Sequence, residues 1–561
     1  MKKELIYVGV AWPYVNNLFH LGHLAGALLP PDIFKRYHQL RGNEVLMVSG
    51  SDFHGSPIAL EAEKQGISPF ELAKKYHNLN KKFFKEFSVE FTIYTSTHTK
   101  NHFEFVQKFF LRLLKKGYIK ILKTKQFFSE KSQRFLQDRY VEGECPFCHF
   151  KQARGDQCEV CGRILDPTEL INPVSKIDKS PLVLKETENY FFDLSVFEPK
   201  LKRWVESQTE WRQWVKNETL GILKEGLKPR AITRDLKWGV PLPKKAIKKE
   251  LRIERIEEKV FYVWFEACLG YLSGAIEYSK KIKKPNYWKK FFYQKKAKTF
   301  YFVGQDNLLF HTTFFPAQLL AFDEKINLPT NVFVQKFLLL EGEKMSKSRG
   351  WFVETEYLVK NYSPEAIRFY LALNLPQEKE LNFSFRDFIE TNNNILVAKV
   401  GNLIHRVLKF CEKNYKRKIF ISQKEIDPQT KEKIVSTFEK SSQHLERGEI
   451  KEGLGEILQL VEWGNSFVDK ERIWETKKES SLKSLLYLVF CLSVLLYPFL
   501  PKSAQRLRKF LGQKKIQPKL GKNLWQIPKE AKISLSKEIF PLFEKIPSER
   551  IELETKKFLK K

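Results

Sequence analysis

Cysteine is scarce in this chain, with seven in 561 residues, and it is not spread as a secreted scaffold requires. Four fall between positions 145 and 161, while Cys268, Cys411 and Cys491 stand alone. That distribution excludes a disulfide framework and fits a reducing compartment, the cytoplasm. Long apolar runs are also wanting. The segment "SLLYLVFCLSVLLYPFL" at 484–500 is uncharged for 17 residues, the lower limit for a membrane span, and Pro498 and Pro501 cut it short. It reads as a buried helix, and no membrane association is expected. The N-terminal "MKKELIYVGVAWPYV" opens like a secretion signal but runs into "NNLFHLGH" where a small-residue cleavage site belongs. No internal repeat or long low-complexity tract is evident. Acidic residues are short as well: 66 Asp and Glu against 98 Lys and Arg leave a net charge of +32. Such a surplus draws a polyanion, RNA or DNA first, by counterion release. A surface that is simply rich in lysine gives the same count, so charge alone does not choose between them.

What is present reads as several domains. "ELIYVGVAWP" is a short β-branched, apolar strand ended by proline, followed by a helical pattern from about His20 to Arg41 that stops at Gly42. "NEVLMVSGSD" at 43–52 is a second strand. Strand–helix–strand at this spacing predicts a doubly wound parallel sheet, with ligands at the carboxyl ends of its strands. From about 119 to 239 the rhythm breaks, as in an insertion. Strand-like runs resume with "KVFYVWF" (259–265) and "KTFYFVGQD" (298–306), as though completing the sheet, and "NVFVQKFLLLEGEKMSKSRG" (331–350) follows. From about 389 the pattern is helical to near the end. The expectation is an α/β, Rossmann-like catalytic domain in two halves (1–118 and 240–330). It holds an inserted domain that carries the cysteine cluster (119–239). A region bearing "KMSKS" (331–388) and an α-helical bundle (389–561) follow.

Two motifs carry chemistry. In "LFHLGHLAG" (18–26), His20 and His23 lie on one face of the first turn of a helix. There, backbone N–H groups and the helix dipole favour a phosphate. Gly22 leaves room for a nucleotide against the backbone, and the imidazoles can donate to phosphate oxygens as charge builds. Alone, two histidines at a helix start are as often structural or metal-related. Some 320 residues later comes "EGEKMSKSRG" (341–350), a small, cationic loop after an apolar strand. Lys344 and Lys347 can swing over a triphosphate there. A third motif, "CPFC" (145–148) and "CEVC" (158–161) nine residues apart, supplies Cys145, Cys148, Cys158 and Cys161. Four thiolates so spaced can enclose one structural Zn²⁺, with two redox pairs as the rival reading.

With "HLGH" and "KMSKS" together, the sequence resembles the class I aminoacyl-tRNA synthetases, and among them the methionyl-tRNA synthetases over essentially its full length. The strongest local matches are "AWPYVNNLFHLGHLAG", "GSDFHGSPI", "YVWFEACLGY", "FHTTFFPAQLL" and "KMSKSRG". The resemblance implies activation of L-methionine by Mg²⁺-ATP to methionyl-adenylate, then transfer to tRNA(Met). His20, His23, Lys344 and Lys347 are implied as catalytic. His20, Gly22, His23, Gly304, Asp306 and Lys347 are implied for ATP. Ala11, Trp12, Tyr14, Asp52, Trp264, Ala267, Tyr271 and His311 are implied for methionine. In the helical third, Asn402 and Arg406 fall at i and i+4 in "AKVGNLIHR", and Trp474 ends "NSFVDKERIW". A helix-face polar pair and a half-buried tryptophan explain these as well; the resemblance puts all three at the anticodon. The chain departs from the family's usual residues at Trp12 (for leucine), Cys268 (proline), Gln305 (lysine) and Ala398 (asparagine). It stops at "KKFLKK" without an appended dimer-forming module, so a monomer is expected. Another class I synthetase, a small-substrate nucleotidylyltransferase and a non-catalytic zinc RNA-binder are the rivals. A missing editing insertion, the helical third and the two intact phosphate motifs, respectively, stand against them.

Overall fold

The structure, a computed structural model, describes residues 3–136, 140–155, 158–161, 163, 165–345, 350–414, 418–476 and 478–559. Five strands, β1 (Leu5–Val10), β2 (Glu44–Ser51), β3 (Ile93–Ser96), β4 (Ala297–Gly304) and β5 (Asn331–Gln335), form one parallel sheet in the spatial order β5-β4-β1-β2-β3. Val8 of β1 is flanked by Met47 of β2 and Phe300 of β4. The chain builds outward from β1 on one side and returns to fill the other, so a crevice opens beyond the carboxyl ends of β1 and β4. Both faces are covered, which is why the strands read as unbroken apolar runs. Ile6, Val8 and Val10 pack with Leu24, Leu28 and Phe34. Leu5 and Tyr7 pack on the other face with Val106, Leu272 and Phe315.

One expected strand is not in this sheet. Within 259–265 only Val260–Phe261 is extended, pairing antiparallel with Thr233–Arg234, and Val263–Glu266 is already helical. Phe261 and Phe265 are buried together in the core beneath the sheet. An apolar aromatic run therefore marked burial, not strand geometry. The insertion is built on a long antiparallel pair, Ile119–Ser129 with Val183–Phe192. A separate small sheet of Val141–Glu144, Ala153–Arg154 and Ile171–Ser175 adjoins its cysteine loops.

In the helical third, Glu479–Leu495 forms the centre of a bundle, with every residue from Leu485 to Leu495 buried. No described helix is long and apolar enough to cross a membrane. The region is not wholly helical: Lys418–Ser422 and Glu530–Ser534 pair as an antiparallel ribbon.

The bundle is locked to the sheet's first helical layer by a buried charge cluster. The Arg368 guanidinium donates to Asp32 Oδ2 at 2.9 Å and to the carbonyls of Phe87, Pro498 and Phe499. Arg36 donates to the same Asp32 oxygen at 3.0 Å. Burial alone would raise the Asp32 carboxyl, but the Arg36 and Arg368 guanidinium groups hold it below its ordinary value. Removing one partner strands a buried charge. Arg368→Ala is expected to cost about 3–5 kcal/mol, read as a lower first melting transition. Lys298→Ala, which breaks the exposed 2.7 Å pair with Glu4, should change stability by only about 0–1 kcal/mol. Equal melting of the two variants would contradict this.

Candidate active site

The loop after β1 delivers His20 as the N-cap of a helix whose first turn is Leu21–His23. His20 is extended (φ −127°, ψ 176°), and its Nδ1 accepts the Gly22 backbone N–H at 3.1 Å. His23 Nδ1 reaches back to accept the His20 N–H at 3.3 Å. With both Nδ1 atoms accepting, each neutral ring carries its proton on Nε2. The helix then widens at Leu24–Leu28 before Leu29–Leu40. Pro30 and Pro31 lack the N–H groups that a regular helix would use there.

The second motif arrives from the far side of β5. Leu338–Leu340 and Glu343–Lys344 form a hairpin. Its two-residue turn, Glu341 (φ 48°) and Gly342 (φ 88°), has the positive φ values that tight hairpins need. Lys344 Nζ lies 4.0 Å from the centre of the Phe337 ring. Lys347 lies outside the described residues. Both borders of that segment meet the HLGH turn. A Cβ placed on Gly22 would sit 3.1 Å from the Met345 methyl carbon and 3.0 Å from the His20 ring. Beyond the segment, Phe352 faces the His20 ring at 6.2 Å and Glu354 bridges to the His20 backbone. Gly304 ends β4, and Asp306 is exposed just past it. The structure thus gathers His20, Gly22, His23, Gly304, Asp306 and the start of the KMSKS segment around the crevice at β1 and β4.

The residues expected for methionine meet in pairs near the ends of the same strands. Asp52, following β2, is buried and bridges to Tyr14; its Oδ1 accepts the His54 N–H at 3.3 Å and the Thr97 hydroxyl at 3.4 Å. Burial, then the nearby Glu266 carboxylate, raises the Asp52 carboxyl well above its ordinary value. Trp12 rests on backbone: a Cβ on Gly50 would fall 2.2 Å from its ring, and one on Gly270 2.8 Å. Trp264 and Ala267 are part-exposed on the helical segment that leads to buried Tyr271. Tyr271 Oη is 2.7 Å from His311 Nε2. His311 Nδ1–H donates to the Asn307 carbonyl at 2.9 Å, and burial pushes its imidazole down to about 4. Neutral His311 therefore accepts the Tyr271 proton at Nε2. Ala11 continues β1, its N–H bonded to the Phe302 carbonyl. A cavity of about 840 Å³ runs from Trp264, Asp306 and Phe310 to Arg230 and Lys228 of the insertion.

Two sites lie farther out. The Sγ atoms of Cys145, Cys148, Cys158 and Cys161 all fall within 4.8 Å of one another, with Cys145–Cys161 at 3.9 Å and Cys148–Cys158 at 3.5 Å. Tetrahedral Zn²⁺ with sulfur at about 2.3 Å has sulfur–sulfur edges of about 3.8 Å. N–H groups of Phe147 and Cys148 point at the Cys145 sulfur, and those of Val160 and Cys161 at Cys158. This donor set fits one zinc ion. In the bundle, Asn402 begins the helix to Asn414 and Arg406 follows one turn on. The Arg406 guanidinium lies over the half-exposed Trp474 ring at 5.4 Å and donates to Asp469 at 2.9 Å.

Comparison with known proteins gives the family. Residues 6–408 match the family model described as tRNA synthetases class I (M). A methionine–tRNA ligase of Thermomicrobium roseum is 39% identical over 91% of this chain and 87% of its own. One of Dehalococcoides mccartyi is 40% identical over 98% and 99%. The chain belongs to the methionyl-tRNA synthetases. A solved Mycobacterium tuberculosis methionyl-tRNA synthetase bound by methionyl-adenylate shares the fold at TM-score 0.76 and 20% identity, covering 96% of this chain and 100% of that one.

Sequence reasoning missed a buried group in this synthetase. Glu266, fully buried between Trp264 and Ala267, takes His54 Nδ1 and His102 Nε2 on its two oxygens at 2.7 Å each. Nothing in the local sequence marks three residues so far apart as one cluster. For the knuckle, purified protein is expected to hold one equivalent of Zn²⁺ by elemental analysis. Cys161→Ser should release it and lower melting, because a small metal-tied fold depends on its ion. Metal content unchanged in that variant would contradict the assignment.

Proposed function

We propose that this chain is a methionine–tRNA ligase that activates methionine with ATP and passes it to the 3′ end of tRNA(Met). The observation that supports this reading is the Met345–Gly22 contact, where the start of the KMSKS motif meets the HLGH turn at the crevice of the parallel sheet.

The methionine carboxylate is already a nucleophile, so catalysis is positioning plus charge stabilisation. It attacks the α-phosphorus of ATP and pyrophosphate leaves. Nε2–H groups of His20 and His23 take the negative charge that builds on the phosphate oxygens. Lys344 and Lys347 serve the β- and γ-phosphates from the opposite side, and Mg²⁺ enters with the ATP. Gly22 gives the nucleotide access to backbone, while Gly304 and Asp306 hold its adenosine. Asp52 pairs with the α-ammonium, and Ala11, Trp12, Tyr14, Trp264, Ala267, Tyr271 and His311 enclose the side chain. A ribose hydroxyl of the tRNA then attacks the carbonyl of the adenylate, with AMP as leaving group. Asn402 and Arg406 bond anticodon base edges, and Trp474 stacks on a base. Cys145, Cys148, Cys158 and Cys161 would hold one Zn²⁺, which would tie the two loops of the insertion together. The reading includes a monomer acting in the cytoplasm.

The Tyr271 proton is committed to His311, so the slot gives no donor from that hydroxyl to a thioether and selects by shape. Since a hydrophobic pocket distinguishes one methylene by only about 1–3 kcal/mol, homocysteine and norleucine should be activated at reduced rates. Amino-acid-dependent exchange of labelled pyrophosphate into ATP tests the whole reading. Of the twenty standard amino acids, only methionine should give a strong signal, and a stronger one from any other would overturn it. Lys347→Ala should cut that exchange far more than it weakens methionine binding. Trp474→Ala should spare exchange and reduce tRNA charging.

A pH dependence follows from Asp52. Its raised value means that the free carboxyl holds its proton to higher pH, and an ammonium beside it restores the charged form. Methionine binding should therefore release a proton below that value and tighten as pH rises through it. Titration calorimetry in two buffers of different ionisation enthalpy reads this, and proton uptake would contradict it.

A further inference from the structure

Behind the amino-acid slot lies a carboxylate that the mechanism does not use. Glu266 is 0% exposed, and a buried carboxylate persists only where its oxygens are paired. Both are. One oxygen faces His54 and the other His102, each at 2.7 Å. Burial works against its ionisation, yet His54 and His102 hold its carboxyl below the ordinary range.

The two histidines lead to two different residues of the proposed methionine slot. His54 is two residues past Asp52, and its backbone N–H is one of the donors to the Asp52 carboxylate. Its other ring nitrogen meets His98 Nδ1 at 3.0 Å. His98 in turn stacks on Trp238, with ring centres 4.7 Å apart. His102 lies nearly parallel to the Trp12 indole, with centres 6.5 Å apart and planes 28° from each other, and its far nitrogen is 2.8 Å from the Ser273 hydroxyl. Glu266 itself belongs to the helical segment that carries Trp264 and Ala267 into the slot. One side chain thus joins the Asp52 loop, the Trp12 wall and the Trp264 segment.

We propose that Glu266, acting through His54 and His102, is a positioning residue that sets the spacing between Asp52 and Trp12 and thereby the affinity for methionine. The inference rests on the methionine slot proposed above. A glutamine in its place keeps the shape but exchanges one acceptor for an NH₂ donor, so it can accept from only one of the two N–H groups that now converge on Glu266. One arm of the clamp is released while the nucleotide side of the crevice is untouched.

The test is pyrophosphate exchange by the full chain with methionine and ATP varied separately. Wild-type protein must first show methionine-dependent exchange; its absence would sink the functional reading itself. Given that exchange, Glu266→Gln is expected to raise KM for methionine about tenfold, the scale of a lost charge-assisted hydrogen bond, with kcat and KM for ATP within about twofold. Ser273→Ala, a milder change behind His102, should raise KM for methionine about threefold with the same selectivity. An unchanged KM for methionine in Ser273→Ala, or a parallel rise of both KM values in either variant, would overturn the proposal.

Discussion

The proposed site turns on a glycine against a methionine. Gly22 and Met345 are separated by more than half the chain, yet the Met345 methyl carbon fills the space a side chain at Gly22 would need. That contact brings the start of a cationic motif to the first turn of a helix whose two histidines accept backbone N–H groups at Nδ1. Neither half has the chemistry alone. In the proposed mechanism, imidazoles at a helix start offer donors to one side of a phosphate chain, and the second motif brings charge to the other.

What keeps the two halves in register is not local. The helix that begins at His20 continues to Leu40, and Asp32 within it is gripped by Arg36 and Arg368. Arg368 at the same time bonds the carbonyls of Pro498 and Phe499 in the bundle. A buried ionic cluster is weak evidence for stability, but this one ties two helices and the turn before a third to one carboxylate. The end of the molecule assigned to the anticodon and the end assigned to ATP are thus referred to one carboxylate.

Much of this could be read from the letters. Strand, turn and helix at 5–40 show in the apolar run, the proline and Gly42, and the cysteine spacing already implied the cage that the sulfur atoms form. The run at 259–265 misled, since Phe261 and Phe265 are apolar for burial in a helix-bearing turn and not for a sheet. The Glu266 cluster was invisible, because His54, His102 and Glu266 meet only through the fold, at sequence separations of 212 and 164 from the glutamate. The cradle of Trp12 was hidden for the same reason: Gly50 and Gly270 matter as absent side chains at contacts that only tertiary structure creates. The ribbon at 418–422 and 530–534 has clear alternation in its second strand, but its partner lies more than a hundred residues away.

The most direct measurement is a crystal structure of the protein with methionine and an unreactive ATP analogue. The account requires the triphosphate to lie between the two motifs, within hydrogen-bond distance of Nε2 of His20 or His23 on one face and of Lys344 or Lys347 on the other. A nucleotide bound with contacts to only one motif, or outside the crevice at β1 and β4, would contradict it.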